Sequence, residues 1–285
     1  MINISGKTKI VGVIGEPVTH SRSPQMHNAA IAKLGLNFAY LPFEVKLPDL
    51  ATAIQGLKAL QVVGVNVTIP HKQNVMPLLD HISTEAHLIG AVNTLVFDQD
   101  QIFGHNTDAE GFIRAMQEEA SLCDYLLTGD VRAVVLGAGG AARAIIAGLA
   151  KEKARHVTIV NRTTEHGLQL KEFSGSIGLN SEVKTIEEMN EFHADYDLII
   201  NSSSLGLKNE SSPIPIKIIN QETVVYDIVY KPVNTELIKE SKKKNAEIIY
   251  GYEMLLGQAV RSFEIWLEQK APYDEMKKAL LGGFS

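Results

Sequence analysis

Residues 133–142 constrain the fold of this chain more than any other stretch. Ala133-Val134-Val135-Leu136 is a short apolar run that enters Gly137-Ala138-Gly139-Gly140-Ala141-Ala142 directly, and a helix-forming stretch continues to Lys151. This is G-x-G-x-x-A between a strand and a helix. The first glycine allows the tight turn, and the second lets the backbone approach a pyrophosphate. The small third residue permits close helix–strand packing, and the helix N-terminus faces the anion. Such glycines also occur in tight turns that bind nothing; the strand–turn–helix context favours a dinucleotide site. The next strand, Val157–Val160, ends in Asn161-Arg162-Thr163. NAD sites carry an Asp or Glu near this point for the ribose 2′-hydroxyl. A guanidinium stands here instead, and it suits a 2′-phosphate. NADP is therefore expected over NAD, against the plain reading of Arg162 as a solvated surface residue.

Strands and helices alternate along the rest of the chain. Residues 9–14, 38–44 and 62–67 read as strands, and Pro24–Leu34 and Asp49–Leu60 as helices. Gly35 closes the first helix as a C′ residue, and Ser23-Pro24 reads as an N-cap with proline at N1. Two short helical stretches, around 73–79 and 83–89, precede a hairpin over 94–104 that turns at Gln99-Asp100, and then a helix over 109–119. The polar stretch Cys123–Asp130 marks a domain boundary. Further strands are read at 133–136, 157–160, 198–200, 224–228 and 247–249, with a helical tail from Glu253. Alternation of this kind predicts an α/β chain with largely parallel, covered sheets.

Composition narrows the function classes. A length of 285 residues leaves room for about two domains. The net charge is 27 − 33 = −6, with no long Lys/Arg run, which argues against nucleic acid as a partner. The single cysteine, Cys123, rules out an intrachain disulfide and a Cys-based zinc cluster. Nine histidines include no His-x-x-x-His pattern, so no metal is expected. There is no run of about 18 apolar residues and no signal pattern at the start. The expectation is a soluble cytoplasmic protein acting on a small molecule. A homodimer is compatible with the sequence but not specified by it.

In open α/β sheets ligands bind beyond the carboxyl ends of the strands, and the first half concentrates polar residues there. Ser21 and Ser23 stand at a helix start, where hydroxyls and N–H groups can hold a carboxylate. Asn66 and Thr68 share one face of an extended segment, and Lys72 follows just past Pro70. Asn93, Asn106 and Asp108 lie in loops. Each has a plain reading as cap, turn residue or solvated charge.

Together these segments match a family. GEPVTHSRSP (15–24), NVTIPHK (66–72), GAVNT (90–94), GHNTD (104–108), GAGGAARA (137–144), NRT (161–163), YDIVYKP (226–232) and GYEMLLGQ (251–258) follow in order. The chain resembles the shikimate/quinate dehydrogenase family over about residues 10–265. The resemblance implies an open, mostly parallel α/β substrate domain (1–120 and 253–285) and an inserted Rossmann-type NADP domain (121–252). It implies reversible NADPH-dependent reduction of 3-dehydroshikimate to shikimate, a step toward chorismate and the aromatic amino acids. Motif by motif, it makes Lys72 and Asp108 the catalytic pair and Ser21 and Ser23 the carboxylate-binding serines. It gives Asn66, Thr68, Asn93 and Gln258 the ring hydroxyls and puts Tyr230 near the substrate. It assigns Gly137, Ala138, Gly139, Gly140, Ala141, Asn161, Arg162, Thr163, Ile228 and Gly251 to the cofactor. Polyol substrates need many hydrogen-bond partners, which suits these residue types.

Three positions depart from the family pattern. His166 stands where NADP-using members carry a second basic residue, Ser203 replaces a threonine, and Glu253 is unusual in charge. Two alternatives follow: a quinate/shikimate dehydrogenase that also uses NAD, and a non-catalytic ligand sensor. Met254, Leu255, Leu256, Phe263, Trp266 and Leu267 read as helix packing rather than ligand contacts.

Overall fold

A computed structural model describes residues 4–119, 131–189, 196–208, 212 and 214–282. The expected boundary over Cys123–Asp130 lies outside the described residues. The elements run β1 (Lys9–Gly15), α1 (Ser23–Lys33), β2 (Phe38–Glu44), α2 (Leu50–Ala59), β3 (Gly64–Val67), α3 (His71–Asn74), β4 (His81–Ile82), α4 (Thr84–Ile89), β5 (Thr94–Asp98), β6 (Gln101–His105) and α5 (Asp108–Glu119). They continue with β7 (Arg132–Leu136), α6 (Gly140–Lys151), β8 (His156–Val160), α7 (Thr164–Ser176), β9 (Ser181–Lys184), α8 (Ile186–Met189), β10 (Leu198–Asn201), β11 (Val224–Asp227), α9 (Glu236–Lys243), β12 (Glu247–Tyr250), α10 (Gly251–Leu267) and α11 (Tyr273–Leu281).

Two compact units result: residues up to Thr107 together with those from Gln258 onward, and Asp108–Gly257. The first unit holds a six-stranded sheet in the order β2-β1-β3-β5-β6-β4. Its β1 runs parallel to β2 and β3, whereas β5 is antiparallel to both neighbours. The β5–β6 hairpin turns at Gln99 and Asp100, both at positive φ, a conformation that Asp and Asn-like residues tolerate best. Helix α1 ends in a Schellman motif: Gly35 sits at φ 63°, its N–H donates to Ala32 O, and the Leu36 N–H donates to Ile31 O.

The second unit holds a fully parallel sheet in the order β12-β11-β10-β7-β8-β9. Strand order reverses between β7 and β10, the place where doubly wound sheets bind ligands. Both faces are covered. Ala133 and Val135 join one apolar cluster, and Val134 and Leu136 join the other. This is why β7 reads as an unbroken apolar run rather than an alternation.

Helix α5 belongs to this second unit. Phe112 stacks on Tyr226 at 5.2 Å between ring centroids, and a Cβ on Gly148 of α6 would lie 3.2 Å from the Phe112 ring. Sequence reading had grouped residues 108–119 with the first half, because the amphipathic pattern does not say which sheet its apolar stripe covers. Two strands were not expected. Strand β9 is Ser-Glu-Val-Lys, a half-buried edge with a single apolar residue. Strand β4 is only two residues long and lies between the two expected helical stretches.

Candidate active site

In the second unit the glycine loop follows β7 at the reversal of strand order. Gly137 sits at φ 98°, in the region that favours glycine, and its N–H donates to Val160 O at 2.9 Å. A Cβ there would lie 3.1 Å from Ser202 Oγ, just past β10. By contrast, a Cβ on Gly139 or Gly140 would meet no heavy atom within 4 Å. The start of α6 therefore opens onto free space, as a helix N-terminus that takes a pyrophosphate must. The residues present suit a dinucleotide.

Asn161, Arg162 and Thr163 follow β8, with Asn161 Nδ2 donating to Thr163 O at 2.7 Å and the Asn161 N–H to Lys184 O at 3.2 Å. Arg162 and His166 are both exposed. Gly167 is buried against β9, and a Cβ there would lie 2.7 Å from Val183 Cγ1, so the position needs a residue without a side chain. Ile228 and Gly251, far apart in sequence, meet: a Cβ on Gly251 would lie 2.3 Å from Ile228 O. Beside Ile228 in the chain stands a buried carboxylate with its own network. Asp227 accepts from Asn201 Nδ2 at 2.9 Å, from the Val229 N–H at 3.1 Å and from Thr235 Oγ1 at 2.5 Å. Burial pushes the Asp227 carboxyl up, and these three hydrogen bonds pull it back. The Val229 bond fixes the start of the segment that carries Tyr230. Ser203 Oγ donates to Asn201 Oδ1 at 2.7 Å, so serine serves where the family pattern has threonine.

In the first unit side chains rather than backbone build the site. Asn66 at the end of β3 is buried, and its amide is held by protein groups. Nδ2 donates to Ser262 Oγ at 2.9 Å and also faces Thr94 Oγ1 at 3.2 Å and Asn93 O at 3.3 Å. Oδ1 accepts from the Tyr40 hydroxyl at 2.8 Å. Asn93, also buried, accepts from the Thr107 N–H at 2.9 Å, donates to Thr107 Oγ1 at 3.0 Å, and has Oδ1 3.0 Å from Thr94 Oγ1. Thr107 immediately precedes Asp108 in the chain. Asn106 ties its loop down, donating to Ala91 O at 3.0 Å.

The remaining candidates are placed as follows. Thr68 and Lys72 are half-buried on either side of the cis Ile69–Pro70 bond, and the Lys72 carbonyl accepts from the Val92 N–H at 2.8 Å. Asp108 opens α5, and Gln258 and Tyr230 are half-buried. Ser23 does not cap α1. The helix starts one residue earlier than expected, Ser23 lies within it, and Ser21 Oγ accepts from the Ser23 N–H at 3.3 Å. The Ser23 hydroxyl instead hydrogen-bonds Tyr40.

Tyr40 and His27 were not foreseen. His27 is fully buried, stacks on Tyr40 at 4.3 Å with rings 3° apart, and lies 5.4 Å from Trp266. Neither ring nitrogen has a hydrogen-bond partner, and burial drives its pKa down to about 3. Burial also raises the Tyr40 phenol well above its ordinary range. Only the placement of His27 on the buried face of α1, in register with Met26 and Ala30, hinted at this. Among the described residues no group of three or more His, Cys, Asp or Glu is placed to hold a metal ion, and no helix is long and apolar enough to cross a membrane.

Comparison with known proteins gives matches along most of the chain. Residues 13–95 match the family described as shikimate dehydrogenase substrate binding domain. Residues 125–228 match shikimate/quinate 5-dehydrogenase, and 251–281 match the shikimate 5′-dehydrogenase C-terminal domain. A curated shikimate dehydrogenase (NADP(+)) from Nitrosopumilus maritimus is 50% identical over 276 residues, covering 97% of this chain and 99% of that protein. A crystal structure of a shikimate dehydrogenase in complex with NADP+ superposes with a TM-score of 0.91 at 37% identity, covering 99% of this chain and 98% of the other. A Listeria monocytogenes shikimate 5-dehydrogenase, solved with shikimate and NAD, gives 0.90 at 33% identity, covering 98% and 99%. With full-length identity at this level, the chain belongs to the shikimate dehydrogenase family.

Proposed function

We propose that this protein is an NADP-dependent shikimate dehydrogenase that interconverts 3-dehydroshikimate and shikimate. The observation that carries the reading is 50% identity along nearly the whole chain with a curated NADP(+)-using shikimate dehydrogenase. The open glycine loop and the buried hydroxyl and amide cluster support it. The first unit holds the substrate and the second the cofactor. A single cysteine in 285 residues fits a cytoplasmic location.

When bound, the dinucleotide supplies or accepts the hydride. The rest of the chemistry falls to this chain. Gly137, Ala138, Gly139, Gly140 and Ala141 offer backbone N–H groups to the pyrophosphate, and Asn161 and Thr163 frame the adenosine side. Arg162 would take the 2′-phosphate, and Ile228 and Gly251 would offer backbone to the cofactor. Ser21 and Ser23 receive the substrate carboxylate. Thr68, Asn93 and Gln258, with Asn66 behind them, hold the ring hydroxyls, and Tyr230 borders the substrate. Lys72 and Asp108 hold and return the proton at the reacting oxygen as the ketone becomes an alcohol.

Steady-state rates on shikimate and on quinate, each with NADP and with NAD, test the reading. Shikimate with NADP is expected to give the highest kcat/KM. Faster turnover of quinate with NAD would replace it by the quinate reading, and no turnover of either substrate by the sensor reading.

A further inference from the structure

Helix α10 enters the polar cluster of the first unit at a single side chain, Ser262. Its hydroxyl is fully buried and meets groups from three other segments. The proton is committed locally, since Ser262 Oγ donates to the Gln258 carbonyl four residues back at 3.0 Å. The oxygen is left as an acceptor. It takes the Asn66 Nδ2 hydrogen at 2.9 Å and faces the hydroxyls of Thr94 at 2.8 Å and Thr107 at 3.3 Å.

This polarity fixes the rest. An acceptor at Ser262 requires Asn66 to present its NH2 there and hence its carbonyl to the Tyr40 hydroxyl. Turning the amide over would set its oxygen against Ser262 Oγ and the Asn93 carbonyl. A threonine hydroxyl that gives its proton to Ser262 from position 107 still accepts from Asn93 Nδ2. One serine thus helps to set the direction of hydrogen bonding at Asn66 and touches the backbone of Gln258, while the Thr107 N–H sets Asn93.

We propose that Ser262 is a positioning residue for the polyol site, fixing the amide of Asn66 and through it the Asn93-Thr94 backbone against which Asn93 meets the substrate hydroxyls. This rests on the reading of those residues as substrate groups. Preorganised donors and acceptors raise affinity for the correct hydroxyl pattern because nothing must reorient on binding.

The test is Ser262→Ala in the full-length enzyme, with shikimate affinity measured by calorimetry and by steady-state kinetics. The expected result is a rise of about tenfold in KM and Kd for shikimate, the scale of one lost buried hydrogen bond. The KM for NADP is expected to stay within about twofold and kcat to fall far less than affinity. Thr94→Val, nearly the same shape without the hydroxyl, probes the same node without relying on one variant. In the double variant the two losses are expected to be less than multiplicative. Unchanged shikimate affinity in both single variants, or a fall in Tm and kcat with KM unmoved, overturns the proposal. Wild-type turnover of shikimate separates the two readings: if it is absent the functional reading fails, and if it is present with unaltered variants only the role of Ser262 fails.

Discussion

The two units place opposite kinds of group at their candidate sites. The second presents backbone: a glycine turn at positive φ, a helix start with open space before Gly139 and Gly140, and a strand end where Gly251 rests on Ile228. The deeply buried carboxylate of Asp227 is satisfied by its own surroundings. The first presents side chains, neutral amides and hydroxyls locked into a directional network around Asn66 and Asn93. A dinucleotide pyrophosphate is the same in every partner, and backbone N–H groups recognise it whatever the sequence around them. A polyol is recognised by the pattern of its hydroxyls, which only specific side chains can read. The first unit should therefore be sensitive to the chemistry of a substitution, and the second to its size.

The strongest probe of that contrast is Lys72→Ala. It removes the amine at a half-buried position. Turnover should fall by about 10²–10⁴-fold, the usual contribution of a general acid–base group, with Tm unchanged. Unaltered turnover would remove Lys72 from the reaction. Next is Gly139→Ala, where a methyl enters open space and the backbone, at φ −88°, accepts it. Tm should hold while the KM for NADP rises by tenfold or more. A drop in Tm with NADP affinity intact would mean that the open space serves folding and not the ligand.

Arg162→Ala comes third. NADP binding should weaken by about 1–3 kcal/mol, the value of a charge-assisted contact, and NAD binding by much less. Equal losses for both cofactors would take Arg162 off the 2′-phosphate. A fourth probe is pH, read as a gentle slope per unit. His27 is neutral in the fold, with its pKa lowered from 6.5 to about 3. The unfolded chain takes up this proton below pH 6.5, so the fold loses stability as pH falls from 6.5 toward 3. The slope for the one site is about 1.4 kcal/mol per pH unit. Denaturant melts of wild type and His27→Leu across that window should differ in slope by about one proton; parallel curves would show that His27 is not protonated on unfolding.

Much of this was legible in the sequence because it is local. The glycine loop, the hairpin at Gln99-Asp100 and the C′ glycine of α1 each depend on a few adjacent residues whose conformational limits are known. Other features were not legible. Ser262 and Asn66 are 196 residues apart and hydrogen-bonded; nothing in a single helical serine announces such a partner. Ser23 read as a cap because serine before proline usually is one, but Tyr40, brought in by β2, draws its hydroxyl away. His27 looked like one polar residue on a helix and is a neutral ring stacked in the core.

The sequence by itself determined the element types, the dinucleotide loop and the residue types available for chemistry, because these follow from local backbone limits and short-range periodicity. The tertiary structure alone decided that α5 packs on the parallel sheet, that Gly251 meets Ile228, and that Ser262, Thr94, Thr107 and Tyr40 orient two asparagine amides. Hydrogen-bond direction is a property of a closed set of partners, and a set drawn from strands, loops and a late helix closes only when the chain has folded.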